Sequence, residues 1–324
     1  MPRPSDPTPH PDGLVEVRVL ATRWEAEDIV SFRLAAEDGS ALPAWTPGAH
    51  VDVHLPSGKV RQYSLCGDPA DRAEYRIAVL RQPQGRGGSE EVHRELRAGT
   101  VLKLGSPRND FALEEAPAYV FVAGGIGITP ILPMIREAAA RGSAWRLVYG
   151  ARSRGHFAFL SELDGVPGGT VELYAQDQDG HPPLAPVAAA GLNGPIYCCG
   201  PAPLLDALAR EMDGAGSAGN LRFERFAPLA LEAANEQGFE VLLAASGTVV
   251  AVGPEVSVLD AVREAGVAVP SSCEMGICGT CETTVIDGTV DHRDDLLTPE
   301  EKAAGNSMMI CVSRCLSKRL VLDL

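Results

Sequence analysis

No apolar stretch of this sequence approaches the ~20 residues that a bilayer-spanning helix requires, so no transmembrane helix is expected. The opening Met1-Pro2-Arg3-Pro4-Ser5-Asp6-Pro7 has no apolar core of the kind a secretory signal needs, and residues 1–13 read as a flexible, proline-rich lead-in. Basic charge is also scarce. Against 43 Asp and Glu stand 28 Lys and Arg, a net charge of -15, which argues against a nucleic-acid partner because such partners select basic patches. Eight cysteines without an export signal point to a reducing compartment, the cytoplasm, and to metal or redox use rather than disulfides. The cysteines also lack the two paired C-x2-C knuckles of a typical zinc site, since only one such pair is present. An apolar content of 45% suffices for real cores, and 324 residues suggest two or three domains.

What is present is clearest near the C-terminus. Cys273, Cys278 and Cys281 are spaced C-x4-C-x2-C, with Cys311 far downstream. This is the plant-type pattern for a [2Fe–2S] cluster. Soft thiolates must wrap one side of a small inorganic core, and Gly276 and Gly279 fall where the wrapping backbone bends. Zinc is the weaker reading. Cys315 competes as fourth ligand, but Cys311 follows the apolar run Met308-Met309-Ile310, as a strand end would place it, and is favoured. From Gly238 onward 13 Asp/Glu face six Lys/Arg. This imbalance reads as solubility, or as a negative face that steers a basic partner.

Residues 14–112 read as β-structure. Leu14–Leu20, Ile29–Leu34 and His50–Leu55 alternate, and a turn at Pro56–Lys59 leads to Arg61-Gln62-Tyr63-Ser64-Leu65. Short strands with Gly/Pro turns suggest a closed antiparallel barrel. Alternation sets Arg61, Tyr63 and Leu65 on one side and Gln62 and Ser64 on the other. The loop Gln84-Gly85-Arg86-Gly87-Gly88-Ser89 opens a helix capped by Ser89, a ready anion site.

Over residues 113–228 the pattern changes to alternating strands and helices, predicting a parallel sheet with helices on both faces. The strand Ala118–Ala123 runs into Gly124-Gly125-Ile126-Gly127-Ile128-Thr129-Pro130. A helix over Ile131–Ala140 follows, with Pro130 and Pro133 confined to its opening turn. The loop lacks the third glycine of GxGxxG, but strand, glycine turn and helix form the layout that holds a pyrophosphate. Further strands are expected at Trp145–Gly150, Val171–Tyr174 and Ile196–Cys199, and a helix at Leu204–Met212. Cys199-Gly200-Pro201 lies at the carboxyl edge, where such sheets place ligands. Residues 229–237 read as a linker. Residues 238–324 contain a strand pair, a helix over Val258–Ala265 capped by Ser257, and the cysteine loop.

Residues 238–324 resemble a plant-type ferredoxin of β-grasp fold. Arg61-x-Tyr63-Ser64, Gly87-Gly88-Ser89, Gly124–Pro130 and Cys199-Gly200-Pro201 resemble the ferredoxin–NADP reductase superfamily. Its members join an antiparallel β-barrel flavin domain to a Rossmann-like nicotinamide domain. With Pro107-Arg108-Asn109-Asp110-Phe111 and the domain order, nearly the whole chain resembles the phthalate dioxygenase reductase family. That resemblance implies FMN held by Arg61, Tyr63, Ser64, Gly87, Gly88 and Ser89, since no extra segment serves the adenosine half of FAD. It implies NADH or NADPH held by Gly124, Gly125, Gly127, Thr129, Cys199, Gly200 and Pro201, with Arg152 and Arg154 near the adenosine ribose and NADH slightly favoured. It implies Ser64 and Cys199 at the reacting centre, and Phe226 either approaching the flavin or plugging a domain seam. The expected activity is an NAD(P)H-dependent iron–sulfur flavoprotein oxidoreductase. It would feed a terminal oxygenase, either a Rieske-type aromatic hydroxylase or an O-demethylase, with a cytochrome P450 as second acceptor. The rival readings are a free-standing flavin or quinone reductase and a non-catalytic electron carrier.

Overall fold

The computed structural model describes residues 13–85, 87–226, 237–294 and 296–324. The expected lead-in (1–13, apart from Gly13) and nearly all of the expected linker (229–237) lie outside the described residues, as does Arg86. Residue contacts divide the chain into two units, meeting at Phe226 and Ala227.

The first unit holds two sheets. One is antiparallel, built from β1 (Val15–Ala26), β2 (Ile29–Ala36), β3 (His50–His54), β4 (Val60–Ser64), β5 (Tyr75–Leu80) and β6 (Val101–Leu104), with α1 (Gly88–Glu95) between β5 and β6. Its order is β4-β3-β6-β1-β2-β5, and the bridge between Leu65 and Ile77 brings its two ends together as a barrel. The alternating residues supply the barrel core: Val17, Val19, Phe32, Leu34, Val51, Val53 and Leu65 are buried. Register pairs His50 with Ser64 and Asp52 with Gln62 on the opposite face. The expected Ser89 cap is not formed. Gly87, left-handed at φ 75°, is the N-cap of α1, and the Ser89 hydroxyl instead accepts from the Gln82 N–H at 3.0 Å. A left-handed cap position suits glycine, so the helix begins two residues earlier than the hydroxyl signal implied.

The second sheet is parallel. It comprises β7 (Ala118–Gly124), β8 (Ala144–Ala151), β9 (Gly169–Ala175), β10 (Ile196–Gly200) and β11 (Leu221–Arg225), in the order β11-β10-β7-β8-β9. The helices α2 (Ile128–Ala140), α3 (Leu160–Leu163), α4 (Gln176–Asp179), α5 (Ala185–Ala190) and α6 (Ala202–Ala215) connect the strands. α2 starts three residues before the predicted Ile131, so Pro133 lies in the helix interior rather than its opening turn. The residue that would have accepted its missing N–H is Thr129, itself still in the first turn, and the loss is therefore small.

The second unit is a mixed sheet of β12 (Phe239–Leu243), β13 (Thr248–Val252), β14 (Glu282–Asp287), β16 (Ser307–Met309) and β18 (Arg319–Leu322). Its order is β13-β12-β18-β14-β16, with β12 parallel to β18. β15 (Val290–Asp291) and β17 (Arg314–Cys315) form a small ribbon. α7 (Val258–Glu264) lays Val258, Leu259 and Val262 on the core, and the Ser257 hydroxyl caps it by accepting from the Asp260 N–H at 3.0 Å. α8 (Pro299–Ala304) opens with a capping box between Thr298 and Glu301. A mixed sheet grasping one helix is the β-grasp arrangement. Among the described residues no helix is long and apolar enough to cross a membrane.

Candidate functional site

In the parallel sheet the connection direction reverses between β7 and β10, the topological switch point where such sheets leave a ligand crevice. Both glycine motifs end there. A Cβ on Gly127 would sit 2.1 Å from the Cys199 carbonyl oxygen, and one on Gly124 would sit 2.6 Å from Pro201 Cδ. Gly125 is left-handed at φ 54°. Gly124, Gly125, Gly127, Cys199, Gly200 and Pro201 thus form one close-packed edge, which only hydrogen side chains permit at the two tightest positions. Thr129 is buried, and its hydroxyl donates to the Ile126 carbonyl at 2.9 Å, tying the turn together. Arg152 and Arg154 follow β8, and Arg154 donates to the Gln178 side chain at 3.0 Å.

Strands β3 and β4 of the barrel supply the facing groups. The Ser64 hydroxyl is buried with no partner at hydrogen-bonding distance among the described residues, so a bound group can take it. Arg61 lies over Gly88, where a Cβ would come within 2.5 Å of its Nε. This cradle of a cation against helix α1's first turn, with a half-buried Tyr63 beside it, fits a flat ring carrying a phosphate. Arg108 of the Pro107–Phe111 segment makes a bidentate pair with Asp52, at 2.8 and 2.9 Å. Phe226 is half-buried and packs on the core of the parallel sheet.

Two residues of this centre, His50 and Glu224, were missed by the sequence reading. Register in β10 and β11 sets Glu224 beside Cys199. Its carboxylate oxygens lie 4.0 Å from Cys199 Sγ and 3.8 Å from His50 Nδ1, and the nearby Ser64 hydroxyl acts to lower its pKa. Burial, then the charge of Asp110, outweighs that and pushes the carboxyl up to about 8. Burial and the Arg108 cation lower the pKa of His50. Burial and Glu224 raise that of the Cys199 thiol well above its ordinary value. At neutral pH the group is therefore uncharged: a carboxylic acid, a neutral imidazole and a thiol rather than a thiolate. An acidic residue at the carboxyl end of the last parallel strand was the available signal.

In the second unit, Cys273, Cys278, Cys281 and Cys311 come together. Cys273 interacts with Cys278, and Cys281 with Cys311. In each pair one thiol donates to the other, so Cys278 and Cys281 are pushed toward thiolate while Cys273 and Cys311 hold their protons. The Met275 N–H donates to Cys273 Sγ at 3.3 Å, and the main chain at Gly276 points at Cys311. Gly276 and Gly279 are left-handed, at φ 72° and 74°. A Cβ on Gly276 would meet Val312 Cγ2 at 2.5 Å. Cys315 turns away, its thiol donating to the Ser317 carbonyl at 2.9 Å. Among the described residues no three metal-binding side chains close around one ion, but two thiol pairs with amides aimed at sulfur fit a cluster of two irons.

An antiparallel barrel, a doubly wound sheet open at its switch point and a three-cysteine loop joined by a distant fourth cysteine define an iron–sulfur flavoprotein reductase. Residues 242–316 match the family model described as the 2Fe-2S iron-sulfur cluster binding domain. The chain is 45% identical over 315 residues to "phenoxybenzoate dioxygenase subunit beta" of Ectopseudomonas oleovorans, covering 96% of this chain and 97% of that one. It is similar to the solved structure of phthalate dioxygenase reductase, "a modular structure for electron transfer from pyridine nucleotides to [2Fe-2S]", with TM-score 0.78 and 37% identity over 98% of this chain and 100% of the other. An intact type IV self-sufficient cytochrome P450 monooxygenase matches with TM-score 0.80 and 40% identity. That match covers 96% of this chain but spans only 41% of the larger one. The chain belongs to the phthalate dioxygenase reductase family.

Proposed function

We propose that this protein draws electrons from NADH, or NADPH, and delivers them singly through FMN and a [2Fe–2S] cluster to a terminal oxygenase. When bound, a flavin accepts paired electrons and releases them one at a time, which reconciles a hydride donor with a one-electron cluster. The observation that carries the reading is the meeting of Ser64 and His50 from the barrel with Cys199 and Glu224 from the parallel sheet.

In this reading Arg61, Gly87, Gly88 and Ser89 hold the flavin phosphate, and Tyr63 covers the ring. Ser64 offers its unused hydroxyl to a ring heteroatom. The edge formed by Gly124, Gly125, Gly127, Thr129, Gly200 and Pro201 receives the dinucleotide, and Cys199 borders the nicotinamide. A neutral Glu224 keeps the centre free of net charge where a hydride must pass, and Phe226 shields its margin. Cys273, Cys278, Cys281 and Cys311 ligate the cluster. The domains run 14–112, 113–228 and 238–324. Eight cysteines, none of them in a disulfide, suit the reducing cytoplasm.

The oxygenase is of Rieske type, acting on aromatic compounds by hydroxylation or O-demethylation. The likeness to a fused P450 supports a P450 as second acceptor. The test is anaerobic stopped flow with NADH. Flavin bleaching followed by loss of cluster absorbance supports the relay, and bleaching without the second phase rejects it.

A further inference from the structure

Between the two sheets of the first unit lies an ion cluster that the redox groups do not account for. Arg76, on β5 of the barrel, grips Glu162 of α3 with both guanidinium arms, at 2.7 and 2.9 Å. Arg136 of α2 donates to the same carboxylate. Glu162 and Arg76 expose only 18% and 16% of their side chains, so both charges are largely withdrawn from water. The Arg76 guanidinium also lies 5.0 Å from the centre of the Phe159 ring, and Phe159 holds a left-handed backbone at φ 63°. A non-glycine residue in that region costs energy and persists where its surroundings demand it.

Stability does not explain this cluster. Around it the two sheets already share an apolar core: Ala26, Ile29, Cys66 and Ala78 pack with Phe121, Tyr149 and Phe159. A buried ion cluster usually does no better for stability than well-packed apolar side chains of the same volume; its attested use is to fix register. Its connections show which register. Arg76 also donates to the Cys66 carbonyl at 2.7 Å, and Cys66 returns an N–H to the Arg76 carbonyl at 2.8 Å. Cys66 is two residues beyond Ser64. At the other end, Arg136 sits on α2, whose first turn follows directly from the glycine edge.

We propose that the Arg76–Glu162–Arg136 bridge is a positioning device that sets the angle and spacing between the Ser64 strand and the nucleotide-binding edge, so that donor and acceptor rings meet face to face. A planar fork closing on one carboxylate constrains orientation in a way that an apolar contact cannot. The proposal rests on the hydride-transfer reading above. None of the three residues touches a reacting atom.

The test uses the full chain loaded with FMN and cluster, in Glu162→Gln and Arg76→Lys variants. The readouts are the long-wavelength charge-transfer absorbance of nicotinamide stacked on reduced flavin, and the anaerobic rate of flavin bleaching by NADH. The expected result is unchanged FMN and cluster content, a weakened charge-transfer band, and bleaching slowed by about tenfold or more at saturating NADH, the scale at which small misplacements act. If Arg76→Lys loses FMN through its hold on Cys66, Glu162→Gln decides, because among the described residues its hydrogen bonds to the barrel go to Arg76 alone. A charge-transfer band and bleaching rate within about twofold of the parent in Glu162→Gln would overturn the proposal, since correct alignment governs orders of magnitude in rate. A parent protein that NADH fails to bleach would reject the functional reading instead.

Discussion

Glu224→Gln removes a carboxyl group that the fold holds protonated. Raising that group from 4.5 to about 8 corresponds to at most about 5 kcal/mol of destabilisation once it is forced to ionise. The sign follows from proton counting. Between these two values the folded chain keeps a proton that the unfolded chain has lost, so raising the pH favours unfolding. The cost is absent below about pH 4.5, grows through the window and is complete above about pH 8. Glutamine keeps the shape and the capacity to donate, and has no such window. The assay is thermal unfolding of parent and variant at about pH 5 and about pH 8.5, bracketing the transition. For a protein of this size, half of the ceiling would lower the parent's Tm by about 5–10 °C relative to the variant across that range. Curves that run parallel to within about 1 °C would refute the claim that Glu224 is neutral at rest, because 1 kcal/mol already moves Tm by about 2–4 °C.

Three further outcomes are expected. Cys311→Ser abolishes the visible iron–sulfur absorbance after anaerobic reconstitution, whereas Cys315→Ser keeps it, because Cys315 spends its thiol on the Ser317 carbonyl. Gly276→Ala lowers cluster content and destabilises the second unit by about 1–3 kcal/mol, read by chemical denaturation, since a left-handed alanine is strained and its Cβ strikes Val312. Gly88→Ala displaces Arg61 from α1's first turn, so FMN retained on gel filtration falls while cluster content is unchanged.

The parts legible in the sequence were those written in consecutive residues. The C-x4-C-x2-C spacing with its two bending glycines marks a loop whose geometry is local. So is the run from a buried strand through Gly124–Gly127 into a helix. Helix starts were less legible. Ser89 looked like a cap because a hydroxyl preceded Glu90 and Glu91, yet the left-handed Gly87 takes that place. α2 begins at Ile128 because a short 3-10 turn over Gly125–Gly127 feeds it directly.

The sequence by itself determined which chemical groups this chain carries and the local turns that present them, because spacing along a chain constrains neighbours a few residues apart. Only the tertiary structure decided that Glu224 joins His50, Ser64 and Cys199, and that Arg76 closes on Glu162. Those residues lie from 25 to 174 positions apart. Their meeting depends on sheet order and on the burial of two apolar faces against each other, and the same burial holds the Glu224 carboxyl neutral.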